Sequence, residues 1–386
     1  MTRTRQLCYN PIIEPRSHPL PSRYQNQDSV FARAFDILRA AIDQRAFPAA
    51  CAAVTFGGQL VCLKSFGLLT YDAESASATP DTIFDLASLT KPIGTTTMAM
   101  ILYDRGLLDL DLPVTSVVFE FLKDDPRREA VTFRMLLAHS SGLPAYEKLY
   151  LETTSKDELL AKAFATPLVA DPGSRAEYSD IGFIILGVAL ERIARQGNDG
   201  DTLDHFCHRE IFGPLGMVRT AFKPPLTWHP RCAPTQDDQS FRLRIIQGEV
   251  QDENASVLGG VAGHAGLFAS APDVSLFAET MLAGGRRIVR PETIALFTRR
   301  EVSPPGTSRA LGWDTPSSPS QSGKYFSAAS YGHLGYTGTS LWIDPQRQLS
   351  VTLLTNRTWP DCSNQAIKEI RPAFHDAVLE ALEQNR

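Results

Sequence analysis

The spacing of apolar residues along the chain predicts a series of helices and strands. From Asp28 to Arg45, apolar side chains recur every three or four positions, which is typical of a helix with one buried face. The β-prone runs Ala49 to Phe56 and Leu60 to Phe66 flank Gly57-Gly58, a pattern that predicts a β-hairpin. Further helices are predicted at 84–106, 155–165, 180–194, 202–212, 272–282, 291–298 and 362–383, and further strands at 340–343 and 349–354.

The order of these elements predicts an α/β (α+β) fold. Strands occur near both ends of the chain, so residues 28–86 and 285–386 are expected to form one discontinuous domain, an antiparallel sheet flanked by N- and C-terminal helices. Residues 87–284 are expected to form an inserted, mainly helical domain, with the active site in the cleft between the two. Residues 1–27 are expected to form an extended arm, and the proline-rich stretch 224–240 a surface loop.

Composition and charge exclude several classes of function. The chain has 386 residues, of which 43% are hydrophobic and 21% charged, as in an ordinary globular protein. A net charge of -5 and the lack of a Lys/Arg-rich run argue against a nucleic-acid partner. The apolar runs are too short for a membrane span, and the first thirty residues lack the apolar core of a signal peptide. We therefore expect a cytoplasmic protein, or a periplasmic or extracellular one if the N-terminus was trimmed.

The six cysteines are scattered without paired spacing. In a chain of this size without an export signal, free thiols are the expected state. Cys51 and Cys62 could approach each other across the predicted hairpin, and the sequence leaves that possibility open.

The helix predicted at 84–106 carries Ser88 and Lys91 in its first turn. Residues three apart lie on one face of a helix, so the lysine amine can reach the serine hydroxyl. A serine is a poor nucleophile until a base takes its proton, and a lysine acts as that base only if its surroundings keep the amine neutral. The pair indicates a nucleophilic serine, although an N-cap serine followed by a solvated lysine has the same pattern.

Three other segments could supply partners to Ser88. Tyr178, just before the helix predicted at 180–194, could extend its hydroxyl into a cleft or belong to a packed ring. The glycine-rich segment Tyr331 to Gly338 contains His333, which could face the cleft or be incidental. Four glycines in the run 259–266 surround His264, which could line a cleft or be a structural histidine.

In their order and separation these segments resemble the serine β-lactamase and penicillin-binding protein superfamily. The likeness is closest to its class C-like and esterase branch, which includes family VIII esterases and DD-peptidases. The superfamily's elements are Ser-x-x-Lys, Tyr-x-Asn and Lys/His-x-Gly, which here are Ser88-Leu89-Thr90-Lys91, Tyr178-Ser179-Asp180 and His333-Leu334-Gly335. The resemblance extends over residues 50–357 and includes the segments 137–143 and 252–270.

The resemblance implies a serine hydrolase that forms an acyl-enzyme on Ser88 and cleaves an ester or amide bond. In such a mechanism Ser88 attacks the carbonyl carbon, and Lys91 and Tyr178 accept and relay its proton. The N–H groups of Ser88 and Tyr336 would form the oxyanion hole. The residues expected to bind a small ester, a β-lactam or a short D-amino-acid peptide are Asp180, His333, Gly335 and His264. The resemblance implies neither a cofactor nor a metal.

Two departures from the superfamily's pattern leave an alternative function open. Asp180 replaces an asparagine, which removes an amide donor and adds a carboxylate that could pair with Lys91. His333 replaces a lysine, which leaves a weaker, pH-dependent cation for a substrate carboxylate. Both weaken the case for efficient β-lactam hydrolysis, so a penicillin-binding or ligand-sensing protein with little turnover is the alternative.

A metal enzyme is a third hypothesis, prompted by the segment His205 to Glu210, although a solvated helix face has the same composition.

Overall fold

The computed structural model describes residues 26–195, 202–286 and 288–384. The strands are β1 (Ala49–Phe56), β2 (Gln59–Gly67), β3 (Phe84–Asp85), β4 (Ala221–Phe222), β5 (Gln236–Asp238), β6 (Arg244–Ile246), β7 (Leu267–Ala269), β8 (Tyr331–Leu334), β9 (Ser340–Asp344) and β10 (Leu349–Thr355). The α-helices are α1 (Gln27–Val30), α2 (Ala32–Asp43), α3 (Thr97–Asp104), α4 (Phe133–Leu137), α5 (Lys156–Ala165), α6 (Asp180–Arg195), α7 (Leu203–Cys207), α8 (Gly213–Leu215), α9 (Glu253–Val257), α10 (Ala271–Leu282), α11 (Pro291–Thr298) and α12 (Ile367–Gln384). The predicted arm lies outside the described residues except for its last two positions, of which Gln27 already begins α1.

A five-stranded antiparallel sheet joins the two ends of the chain, in the order β2-β1-β10-β9-β8. Side chains of a strand point alternately to its two faces, so each face has its own apolar cluster. Helices α2 and α12 pack on one face, where Phe35, Trp342 and Phe374 are buried together. Helix α10 packs on the other face, in a larger cluster that continues into the helical part of the chain. The predicted α/β fold is confirmed, and the domain boundaries stay a prediction.

The predicted hairpin of β1 and β2 is confirmed. Gly57 and Gly58 both have positive φ, 57° and 76°, which is the conformation that favours glycine in a tight hairpin. In the register of this hairpin Cys51 lies opposite Ser65, and Cys62 lies opposite Val54. Because the two cysteines belong to the apolar clusters on opposite faces of the sheet, they do not form a disulfide.

The helix predicted at 84–106 begins later than expected and is irregular. Its first two residues form β3, which pairs with β7, and a 3₁₀ turn follows at Ala87–Leu89. A π-helical segment, Lys91–Thr96, then leads into α3. Pro92 has no backbone N–H, so the α-helical hydrogen bond to the Ser88 carbonyl cannot form at this point. The helical segment ends near Gly106, the last residue of the predicted helix, which has a φ of 69°.

Other boundaries also differ from the expectations. The stretch 224–240 is not all loop, because it contains a 3₁₀ helix, Leu226–Arg231, and strand β5, which pairs with β6. Strand β8 was not predicted, and the last helix begins at Ile367 rather than Cys362. These short elements carry no apolar periodicity that a sequence pattern can detect. No helix in the described part of the chain combines the length and apolar character that crossing a bilayer requires.

Candidate active site

Ser88 lies in the 3₁₀ turn, and the backbone before it is held firmly in place. Ala87 has a φ of 47°, a left-handed conformation that costs free energy in a residue other than glycine. The Asp85 carboxylate accepts a hydrogen bond from the Ala87 N–H at 2.8 Å. The hydroxyls of Thr337 and Thr339 donate to the carbonyls of Asp85 and Leu86, at 2.7 and 2.9 Å. The turn after β8 therefore fixes the segment that presents the Ser88 hydroxyl.

Lys91 is fully buried one turn beyond Ser88. Its Nζ donates to Ser88 Oγ at 2.9 Å, to Asp180 Oδ1 at 2.6 Å and to the His264 carbonyl at 3.0 Å. Burial is the largest single effect and would lower the pKa of Lys91, but the charge of Asp180, together with Tyr178 and the hydrogen bonds to both residues, outweighs it and raises the pKa above the ordinary value. Lys91 is therefore an ammonium ion, which corrects the expectation of a neutral amine and confirms the expected pairing with Asp180.

The hydroxyl of Tyr178 lies 2.7 Å from Ser88 Oγ. Burial, followed by the charge of Asp180, raises the pKa of Tyr178 to about 12, so it is a neutral phenol near pH 7. Its ring packs on His139, whose Nδ1 accepts a hydrogen bond from the Ser179 N–H at 3.0 Å. Ser179 Oγ accepts from the Gly182 N–H at 3.0 Å and so caps α6. These contacts fix Tyr178 and Asp180 at the start of the helix.

His333 lies within β8, and its imidazole is almost fully buried. Its Nδ1 lies 2.8 Å from the Leu334 carbonyl, which can only accept, so Nδ1 carries the proton and Nε2 has a lone pair. That Nε2 is buried without a hydrogen-bond partner among the described residues. Burial, together with the positive charges of Lys91 and Arg309, lowers the pKa of His333 well below its ordinary value. His333 is therefore neutral near pH 7, which argues against its use as a cation for a substrate carboxylate, and its contact with the Tyr178 ring is compatible with a positioning role.

The two amides expected to form an oxyanion hole belong to residues that line one cavity. The backbone hydrogen bonds of the described residues leave the N–H groups of Ser88 and Tyr336 without an acceptor. Gly335 brings their segments together, because a Cβ there would lie 1.9 Å from Thr339 Oγ1 and 2.4 Å from the Leu86 carbonyl oxygen. A glycine is therefore required at this close approach.

His264 contacts this cluster through its backbone rather than its ring. Its carbonyl accepts from Lys91, while its Nε2 lies 2.8 Å from Asp252 Oδ1. Asn254 is a structural residue, because its amide joins the Tyr150 N–H and the Glu147 carbonyl at 3.0 and 2.8 Å.

A cavity of about 740 Å³ opens above Ser88. The predicted site residues that line it are Ser88, Tyr178, Asp180, His264, His333, Gly335 and Tyr336. Lys91 does not line the cavity, because it is buried beneath Ser88. The lining residues that the sequence did not point to include Tyr146, Tyr150, Arg309, Arg357 and Arg371. Arg371 could have been found, since it occupies a buried position of α12 between Ile367 and Phe374. Arg309 has no such signal, because it lies in an aperiodic stretch.

Within the described ranges, no three His, Cys, Asp or Glu side chains come together to hold a metal ion. In the segment that prompted the metal hypothesis, the Glu210 carboxylate instead accepts hydrogen bonds from Arg105 and Arg209.

Comparison with known proteins agrees with this geometry. A family model described as Beta-lactamase matches residues 34–371. The chain belongs to the Beta-lactamase family. This confirms the resemblance to the serine β-lactamase and penicillin-binding protein superfamily, in which serine hydrolases carry peptidase and esterase names.

Relatives of this Beta-lactamase family member include a Salmonella agona (strain SL483) protein named "Putative D-alanyl-D-alanine carboxypeptidase". The two are 31% identical over 336 residues, which cover 79% of this chain and 76% of the relative. The solved structure of EstCE1, titled a hydrolase with promiscuous acyltransferase activity, superposes with a TM-score of 0.74 at 23% identity, over 91% of this chain and 99% of that one. An octameric penicillin-binding protein homologue from Pyrococcus abyssi gives 0.69 at 22% identity, over 92% and 77%. At these identities the two structures support the fold alone.

Proposed function

We propose that this Beta-lactamase family protein is a serine hydrolase that forms an acyl-enzyme on Ser88 and cleaves an ester or amide bond. The observation that carries the proposal is the position of Ser88 Oγ, which lies within hydrogen-bond distance of both Lys91 Nζ and the Tyr178 hydroxyl. The cavity above it has the volume of a small-molecule site. A serine used only as a helix cap would not need a buried ammonium and a buried phenol as neighbours.

The charges at the site suggest how the proton moves. Since Lys91 is an ammonium ion, it cannot accept the Ser88 proton, but it can stabilise the negative charge that develops on Oγ. As Oγ attacks the carbonyl carbon, the Ser88 proton moves to the Tyr178 oxygen while the Tyr178 proton moves to the leaving atom, so the phenol stays neutral. The bond between the carbonyl carbon and the leaving atom then breaks, which releases the leaving group and leaves Ser88 acylated. The carbonyl oxygen becomes negative and accepts from the N–H groups of Ser88 and Tyr336. Water then attacks the acyl-enzyme through the same relay in reverse, which releases the acid and restores Ser88.

The name of one relative supports a peptide substrate. The Salmonella relative is named for an activity on a D-alanyl-D-alanine peptide, and the EstCE1 title describes a hydrolase. We propose a small ester or a short D-amino-acid peptide as the substrate, and a β-lactam as a compound that acylates the same serine.

Intact-protein mass spectrometry after exposure to a fluorescent penicillin, and separately to an activated short-chain ester, tests the proposal. We expect a covalent adduct or ester turnover with the wild type, and neither with Ser88→Ala, which keeps the fold. Ser116→Ala is the control, because Ser116 is exposed and does not line the cavity, and it should behave as the wild type. Full activity of Ser88→Ala would show that the assignment is wrong.

One observation favours the penicillin-binding alternative as a second candidate. All three N–H groups of the Lys91 ammonium have acceptors, so no neutral lysine amine is present to activate the water that attacks the acyl-enzyme. Under this alternative the penicillin adduct on Ser88 persists and no product appears. Rapid decay of the adduct with release of product would favour the hydrolase instead.

A further inference from the structure

Asp85 is a buried carboxylate next to the candidate site that takes no part in the proposed chemistry. It is 2% exposed and ends β3, shortly before Ser88. Its two oxygens have different partners, since Oδ1 accepts from the Ala87 N–H at 2.8 Å and Oδ2 accepts from the Gln251 N–H at 2.7 Å. One carboxylate therefore links two segments that are far apart in the chain.

Each of the two segments holds one partner in the contact between Ser88 and Lys91. The first segment presents the serine directly. The second continues from Gln251 to Asp252, whose Oδ1 accepts from His264 Nε2 at 2.8 Å. The carbonyl of His264 in turn accepts from Lys91 Nζ at 3.0 Å. A shift of either segment would therefore change the position of the serine hydroxyl relative to the ammonium.

Burial makes the negative charge of Asp85 costly and has the largest effect on its pKa, which is raised to about 6 although the two N–H groups favour the charged form. Two charged side chains also act on it. Asp252 is a second anion and raises the pKa, whereas Arg242 lowers it but is already paired with Asp238 at 2.8 Å. The Cys232 thiol close to Asp85 is neutral near pH 7, because burial raises its pKa.

We infer that Asp85 is a positioning residue for acylation, which holds Ser88 and Lys91 in contact only while both of its carboxylate oxygens can accept a hydrogen bond. The inference rests on the proposed function. A carboxylate accepts at both oxygens, whereas a protonated carboxyl group or an amide turns a donor towards one of the two N–H groups. Acylation should therefore slow down when Asp85 gains a proton.

The expected effect of acid on the rate is opposite to its effect on stability through the same group. The folded pKa of about 6 lies above the ordinary value of 3.8, so between these values the native state binds a proton that the unfolded state does not. The contribution of Asp85 to the free energy of unfolding therefore increases as pH falls through about 6. A merely structural carboxylate would show that trend alone, whereas a positioning residue also lowers the rate.

The limiting rate of acylation by an activated short-chain ester, measured by stopped flow between about pH 5 and pH 8, tests the inference. We expect the wild-type rate to fall by about 10-fold to 100-fold at acid pH, the loss that follows a small displacement of a reacting group. Asp85→Asn should have the low rate already at mildly basic pH and show no decline with acid. The apparent affinity for the ester should change little.

Asp273→Asn is the matched control. Asp273 is also buried, its pKa is raised by burial to about 6, and its Oδ2 accepts from the Arg219 N–H at 2.6 Å. Since Asp273 does not line the cavity, this variant should lose the same pH-dependent stability but keep the wild-type decline in rate. Glu253→Gln removes a cavity carboxylate whose pKa burial also raises, and the decline should persist there too.

Hydrogen exchange in the wild type tests the link without a variant. After correction for the intrinsic exchange rate, protection of the Ala87 or the Gln251 N–H should decrease below about pH 6. Unchanged protection of both groups, or a decline in rate that persists in folded Asp85→Asn, would overturn the inference and leave the proposed function standing. No acylation of the wild type at any pH would contradict the proposed hydrolase and this inference together.

Discussion

Lys91 and His333 are both buried basic side chains close to the Tyr178 ring, yet they carry different charges. Lys91 Nζ lies 4.8 Å from the centre of that ring, and the His333 ring centre lies 5.9 Å from it. Lys91 has the Asp180 carboxylate at 2.6 Å and keeps its proton. None of the described residues that shift the pKa of His333 is acidic, and the charges of Lys91 and Arg309 add to the effect of burial, so it is neutral. Burial removes a charge unless an opposite charge compensates for the lost hydration.

The two residues therefore have different chemical roles. The Lys91 ammonium can stabilise negative charge on Ser88 Oγ, whereas His333 can only accept a hydrogen bond at Nε2. If both residues were charged, the cavity would attract anions at two places. The variants below test that difference, from the largest expected effect to the smallest.

Lys91→Met should lower the rate of acylation by about 100-fold to 1000-fold, the range seen when a preorganised electrostatic contact to a developing charge is removed. Stopped-flow measurement of acylation by an activated ester checks it. Lys162→Met is the matched control, because Lys162, on α5, forms an exposed ion pair with Glu152. The acylation rate of this variant should equal that of the wild type. A Lys91→Met variant that keeps more than about a tenth of the rate would contradict the role given to the ammonium.

Asp180→Asn should destabilise the protein by about 3 kcal/mol near pH 7, because it leaves a buried ammonium without its counter-charge. In the wild type the raised pKa of Lys91 gives a stabilisation that is full below the ordinary pKa of lysine and is lost as pH rises through the folded value. In the variant the charge of Asp180 is gone, and we expect burial, the largest effect on this group, to lower that pKa. Its native state then loses the proton first, and its stability rises with pH between the folded and the unfolded pKa.

Urea unfolding of wild type and Asp180→Asn, near pH 7 and near pH 10, measures this difference. The contribution of Lys91 to the free energy of unfolding should stay constant in the wild type and increase with pH in the variant. The double variant Lys91→Met with Asp180→Asn should recover much of the lost stability, since no charge is left unpaired. Glu152→Gln, which breaks the exposed pair with Lys162, should change little at either pH. If Asp180→Asn is as stable as the wild type near pH 7, Lys91 is not held as an ammonium by this carboxylate.

His333→Gln should make stability less sensitive to acid. The folded pKa of His333 is lowered, so below about pH 6.5 the unfolded state binds a proton that the native state does not, and the wild type loses about 1.4 kcal/mol per pH unit from this group. The variant lacks that loss, and its stability relative to the wild type should improve by up to about 2 kcal/mol between about pH 6.5 and pH 5.

His375→Gln is the matched variant for His333. Burial lowers the pKa of His375 to about 3, so its replacement should give the same trend with pH. His375 contacts Ser340 and Gln321 rather than the cavity, so its loss should not alter activity near pH 7. An unchanged acid slope in His333→Gln, beside the expected change in His375→Gln, would mean that His333 carries a proton in the native state.

Local pattern explains which elements could be predicted. The hairpin at Gly57-Gly58 and the helix that begins at Asp180 carry strong signals, because turn glycines and a long apolar periodicity depend on neighbours in sequence. Strand β8 and the pairing of β5 with β6 depend on contacts between segments and carry no such signal. The irregular start of the Ser88 helix was missed for the same reason, since β3 exists only by pairing with β7.

The same division holds for the candidate site. The sequence by itself determined the set of chemical groups, namely Ser88 with Lys91 one turn away, Tyr178 and His333, since motif spacing reports which residue types are available. Only the tertiary structure decided their protonation and their partners. The carboxylate beside Lys91 and the positive neighbours of His333 come from segments far apart in the chain. The free energy of a buried charge depends on those neighbours in space.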